Sequence, residues 1–127
     1  MRFMLTLTTD AASEARRPPD PRLAAAIGYL TDEMARSGVL LDTGGLAPTA
    51  DAVRLSLSGG RIVAADGPFA EGRDIIGGFA IVDVRSKAEA VELARRVLTV
   101  HAAILGESCE LASDVRQVCS PSVAGEA

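Results

Sequence analysis

Two carboxylates flank a short turn-forming run in the middle of the chain, Asp66-Gly67-Pro68-Phe69-Ala70-Glu71. Placed in a cleft, Asp66 or Glu71 could act as a general base or hold a cationic group, provided burial raises its pKa toward neutrality. A structural role explains the same residues: Asp bonds its own downstream backbone, Gly takes positive φ, and Pro fixes φ at the exit. Phe69 would then anchor the loop in the core or in a dimer cleft. His101, the single histidine, is the third catalytic candidate, as the one side chain with an unperturbed pKa near neutrality. It is read as following the second helix, where a cationic ring is stabilised by the helix C-terminus. Asp42, Asp66, Phe69, Glu71 and Phe79 are the expected binding residues, and Phe3, Leu5, Asp42, Asp66, Phe69 and Phe79 would line a pocket between sheet and helices. Arg73 and Asp74 read as solvated, or as a gate to that pocket.

Other chemistries find little in the chain. No His, Cys or Ser dyad with recognisable spacing occurs. Cys109 and Cys119 with one His make a poor metal set, and no Cys-x-x-Cys is present. On one extended strand those cysteines would be roughly 30 Å apart, too far for a disulfide unless the chain folds back after Val118. Gly77-Gly78 lacks the strand-loop-helix order of a phosphate loop, so a bulge or close strand approach is expected there. Gly44-Gly45 reads as a turn, or as one rim of a pocket. No cofactor is therefore expected. The net charge of −4 and the scattered basic residues argue against nucleic acid as a partner. No apolar run reaches the roughly 20 residues that span a bilayer. The N-terminal apolar run is too short for a signal peptide, which gives the expectation of a cytoplasmic protein with no membrane partner.

The elements that must position these residues follow from periodicity. Residues 2–8 alternate, with Phe3, Leu5 and Leu7 on one face, as a strand does. Residues 9–20 read as a polar loop. Asp20-Pro21 opens a helix, whose apolar stripe is Leu23, Ile27, Leu30 and Met34 and which Gly38 ends. Gly28 within it marks close packing on a sheet. Val39–Asp42 is a strand running out at Thr43-Gly44-Gly45, and Pro48 to Ala52 is connecting loop. Alternation resumes at Val53, Leu55 and Leu57, and Gly59-Gly60 turns the chain back through Arg61–Ala65 as a hairpin. Residues 70–76 are a short excursion before a strand over Phe79–Val84 that is apolar on both faces. Ser86 and Glu89 form a capping box for a second helix with Ala90, Leu93, Ala94, Val97 and Leu98 as its apolar face. His101 to Ser108 reads as loop, Cys109 to Val118 as a last strand interrupted at Ala112-Ser113-Asp114, and the rest as a disordered tail.

With the hairpin as an insertion, the order is β-α-β-β-α-β, an α+β fold on the ferredoxin-like plan. A single domain over residues 1–118 is expected, with a tail over 119–127. Hydrophobic residues are 48% of the chain but aromatics only 3%, so the core is light, and burial against a second subunit becomes attractive. Helices cover one sheet face in this plan. The two-faced strand at 79–84 therefore predicts a homodimer with sheet facing sheet.

Asp66-Gly67-Pro68-Phe69-Ala70-Glu71 followed by Ile76-Gly77-Gly78-Phe79 resembles the signature of the YCII-related, or DGPF-domain, proteins. The first strand, Gly38-Val39-Leu40, the Gly59-Gly60 hairpin and Asp114-Val115-Arg116-Gln117 also lie where that family has equivalents, so the resemblance runs to about Val118. It implies a dimeric α/β-barrel. Most members are uncharacterised. Some of their genes lie beside genes for extracytoplasmic-function sigma factors, which implies a regulatory or stress setting. Smaller YCII-like proteins carry a His/Asp pair with the His on the first helix; here Leu23 to Leu30 contains no His, which argues against that mechanism. Gly72-Arg73 stands where a Thr-Lys pair is common.

Two functions follow from this reading. The first is a non-catalytic, dimeric accessory or regulatory protein, acting through its dimer or a partner such as a sigma-factor-related protein. The acidic surface suits a basic partner, and the missing dyads favour this reading. The second is a small-molecule-binding protein or enzyme using carboxylate acid/base chemistry in a cleft near Asp66.

Overall fold

A computed structural model describes residues 1–10, 13, 20–69 and 75–119. In chain order its elements are β1 (Arg2–Thr9), α1 (Pro21–Arg36), β2 (Leu40–Gly45), a 3-10 turn (Thr49–Asp51), β3 (Val53–Ser58), β4 (Arg61–Asp66), β5 (Ile75–Asp83), α2 (Lys87–Leu105) and β6 (Val115–Gln117). β2, β5, β1 and β6 form one sheet in that order, antiparallel throughout. β3 and β4 form a separate two-stranded ribbon. The fold is α+β and compatible with the ferredoxin-like plan, with the ribbon inserted between β2 and β5.

Alternation decides which face of the sheet the helices cover. Phe3 and Leu5 of β1 stand opposite Val82 and Ala80 of β5. These side chains meet Leu30 and Met34 of α1 and Ala90 and Ala94 of α2 in the buried core. The other face carries the rows Met4–Ile81–Asp42 and Thr6–Phe79–Gly44, with Phe79 and Ile81 half-buried. β5 thus has apolar residues on both faces.

The helix starts follow their capping chemistry. Asp20 Oδ1 accepts from the N–H groups of Arg22 at 2.9 Å and Leu23 at 3.4 Å, which satisfies donors the first turn cannot. Ser86 Oγ accepts from the Glu89 N–H at 3.2 Å. Glu89 reaches back to the Arg85 N–H at 3.4 Å, one residue earlier than the Ser86 N–H of a capping box. Gly59 and Gly60, at φ 59° and 76°, make the two-residue turn of the ribbon.

Several boundaries differ from those expected. Thr43-Gly44-Gly45 is strand, because Gly44 and Gly45 pair with Phe79 and Gly78. β5 begins at Ile75, inside the expected excursion, and residues 70–74 lie outside the described residues. A register shift between Leu7 and Thr8 leaves Gly77 as the extra residue of a bulge, as expected for Gly77-Gly78. The last strand shrinks to Val115–Gln117 plus one bridge, Thr8 to Ala112. Val84 leaves the strand yet stays buried. Gly28 is not a close-packing site, since a Cβ there would meet nothing within 4 Å. Among the described residues, no helix is long and apolar enough to cross a membrane.

The largest correction concerns His101, which lies within α2 rather than after it. Ala102, Ala103, Ile104 and Leu105 all sustain a helix, and the first residue that ends it is Gly106 at φ 80°. The ring is consequently buried, at 7% exposure.

Candidate functional site

Asp66 ends β4 opposite Val53 and is exposed. The chain behind it is held by backbone. The Gly67 N–H donates to the Ala52 carbonyl at 2.7 Å, and a Cβ on Gly67 would collide with the Thr49 carbonyl oxygen. The Gly67–Pro68 peptide is cis. The Arg54 guanidinium stacks over the Phe69 ring, 4.0 Å from its centroid, a cation–π contact within the ribbon and its exit. Glu71, Arg73 and Asp74 lie outside the described residues. Asp42 is exposed on β2, and its Oδ1 accepts from the Thr43 N–H at 2.9 Å. Phe79 covers Gly44 across the strands: a Cβ on Gly44 would come within 3.0 Å of the ring. Asp66 and Phe69 therefore belong to the ribbon, and Asp42 and Phe79 to the open face of the sheet.

On the covered face the helices leave a cleft of about 650 Å³. Its floor is two cross-strand rows, Leu5–Ala80–Thr43 and Leu7–Gly78–Gly45. The second row has little side chain, and that hollows the floor. One wall is α1, with Leu23, Ala24, Ile27, Gly28 and Thr31. The other is Ala94, Val97 and His101 of α2, which share a face at spacings of three and four. The cleft runs from exposed rim residues Ala24, Thr43 and Gly45 to buried Met34, Ala94 and His101. Of the pocket lining expected from the sequence, Leu5 and Phe79 border it; Phe3, Asp42, Asp66 and Phe69 do not.

The polar groups around the cleft are mostly committed elsewhere. The Thr43 hydroxyl donates to the Phe79 carbonyl at 2.9 Å, and the Thr31 hydroxyl to the Gly28 carbonyl at 3.0 Å. Asp20, at the α1 end, caps its helix and pairs with the Arg22 guanidinium at 3.1 Å. The side-chain hydrogen bond from Arg22 and its backbone N–H hold the Asp20 carboxyl below its usual value. His101 differs. Its Nδ1 lies 2.9 Å from the Val97 carbonyl, which can only accept, so Nδ1 carries a proton. Among the described residues, Nε2 on the far edge of the ring has no partner.

The sequence carried traces of this site without resolving it. The stripe Leu23, Ile27, Leu30, Met34 identified the inward face of α1, but only Leu30 and Met34 are buried. The glycine in that helix, expected to pack closely on the sheet, borders open space instead. Gly45, Gly78 and Ala80 become a floor only through strand pairing, which periodicity does not give. Cys109 and Cys119 are free thiols. Among the described residues, no three His, Cys, Asp or Glu side chains come together as a metal set.

Comparison with known proteins adds a family. The model of the YCII-related domain matches residues 1–109. An uncharacterized protein of Rhizobium meliloti (strain 1021) is 33% identical over 76 residues, covering 60% of this chain and 61% of that protein. The chain thus spans about three fifths of the curated relative it matches.

Proposed function

The chain belongs to the YCII-related domain family, and on that footing we propose a small, dimeric, non-catalytic cytoplasmic protein that binds one small, largely apolar organic molecule. The cleft between α1, α2 and the sheet carries this reading. Its volume of about 650 Å³ lies within the roughly 300–1,000 Å³ typical of small-molecule sites, which are apolar with a few placed polar groups. A binding role suits the polar groups better than acid/base chemistry does. Asp20 is spent on capping and pairing, the described bond of His101 is to its own helix, and Asp66 sits on the ribbon. The test is a thermal-shift series with small aromatic and aliphatic compounds on the wild type and on Gly28→Phe. Phe at position 28 has room to enter the cleft, because nothing lies within 4 Å of a Cβ there. The expected result is several degrees of stabilisation for one compound class in the wild type and none in a folded Gly28→Phe. Silence across the series, or equal shifts in both proteins, would count against the cleft.

The ribbon is what favours a dimer. Val53, Leu55, Leu57, Ile62 and Ala64 share one face of it. Leu55, Leu57 and Ile62 are 69%, 74% and 72% exposed. A lone two-stranded ribbon is marginal in water without packing on one face, and an exposed apolar patch of this kind marks an interaction surface. A second copy, with sheet facing sheet, would cover this face together with the open row of Phe79 and Ile81. A sigma-factor-related protein on the same ribbon is the second reading, favoured by the same exposure. Sedimentation separates them: a monomer at micromolar concentration contradicts the homodimer.

A further inference from the structure

We infer that the cleft selects a ligand with an apolar body and one hydroxyl donor, an alcohol or phenol, whose O–H is accepted by Nε2 of His101. The inference rests on the binding role proposed for the cleft and adds the chemistry of its occupant. His101 is 7% exposed and borders the deep end of the cleft. Nδ1 is bound to the Val97 carbonyl at 2.9 Å, which fixes the tautomer: in the neutral ring Nε2 is then an acceptor, not a donor. Among the described residues nothing donates to it. Ala94, Met34 and Val97, which line the cleft with it, carry no side-chain donor. Of the hydroxyls lining the cleft, those of Thr31 and Thr43 donate to backbone carbonyls, Thr6 Oγ1 accepts from the Asp114 N–H, and Ser113 also borders the cleft without a hydrogen bond to the ring among the described residues. A ligand that covers Nε2 without offering a donor would leave an acceptor buried and unpaired, which is costly, so a ligand that brings a donor gains what a purely apolar ligand of the same shape lacks. Sites built this way reject the analogue without the hydroxyl far more strongly than they sense an extra methylene. The apolar floor and walls set the rest of the molecule.

Calorimetry with naphthalene, methoxynaphthalene, naphthol and naphthoate tests this on the full chain. Wild type is expected to bind naphthol at least tenfold more tightly than methoxynaphthalene, which has the oxygen but no donor. In His101→Leu the two should bind alike. A readout on the unaltered protein covers the case in which that variant does not fold. The chain has a single histidine, so its Nε2 nitrogen-15 resonance is unambiguous. It should move on adding naphthol and stay in place on adding methoxynaphthalene. Equal affinity for naphthol and methoxynaphthalene, or a still Nε2 resonance, overturns the hydroxyl assignment while naphthalene binding keeps the cleft. Tighter binding of naphthoate would mean a cationic, donating ring and would also overturn it. Failure of all four compounds to bind sinks the cleft and this inference together.

Discussion

Gly67 stands where a side chain has no room, and this gives the Asp66–Phe69 stretch a structural account. Adding one methyl group drives it into the Thr49 carbonyl, which is backbone and cannot rotate away. Gly67→Ala should therefore cost about 2 kcal/mol or more in urea unfolding. Asp66→Asn, at an exposed position, should change stability by less than about 0.5 kcal/mol and leave ligand binding intact. Lost binding with unchanged stability would restore Asp66 as a functional carboxylate. The sequence marked this motif as structural but misread why its glycine is needed, since Gly67 does not take the positive φ expected of it. The collision that demands glycine depends on Thr49, brought close by the ribbon, and no local pattern reports it. Asp20 makes a prediction about pH. Its folded pKa is depressed, first by the Arg22 side chain and then by backbone donors, from an ordinary value of 3.8. Such a group stabilises the fold above 3.8 and loses that contribution as pH falls through its lower folded value. The stability gap between wild type and Asp20→Ala should be full at neutral pH and close in acid below 3.8. A gap that persists there would show that the carboxylate's charge contributes nothing.

At the scale of elements, starts were more legible than ends. Asp20-Pro21 and Ser86-x-x-Glu89 announce their helices because capping is local chemistry. The end of α2 was misplaced because nothing between His101 and Leu105 breaks a helix. That single error turned a buried cleft residue into a loop residue. β2 was cut short for the opposite reason: glycines read as a turn are held in the sheet by Phe79 and Gly78. Gly28 offers a direct check on how α1 packs. With no atom within 4 Å of a Cβ there, Gly28→Ala should gain up to about 1 kcal/mol of stability from helix propensity alone. A loss of stability on thermal or urea unfolding would mean that α1 sits closer to the sheet than the cleft allows.

On the scale of the whole molecule, the proposed dimer and the proposed ligand draw on two different surfaces. The ribbon and the open sheet face carry exposed or half-buried apolar residues, and the cleft opens on the side covered by the helices. Placing serines at Leu55, Leu57 and Ile62 together should convert a dimer of 13.1 kDa chains to monomer in sedimentation while the fold persists. A wild type already monomeric at micromolar concentration would remove the homodimer. The central claim is that the cleft between α1, α2 and the sheet is a binding site, and amide NMR during a naphthalene titration reads it most directly. The account predicts saturable shifts concentrated at Gly28, at Thr43 to Gly45, at Gly77 to Ala80 and from Val97 to His101. Unchanged amides at those positions, or shifts confined to the ribbon over Arg61 to Asp66, would contradict it.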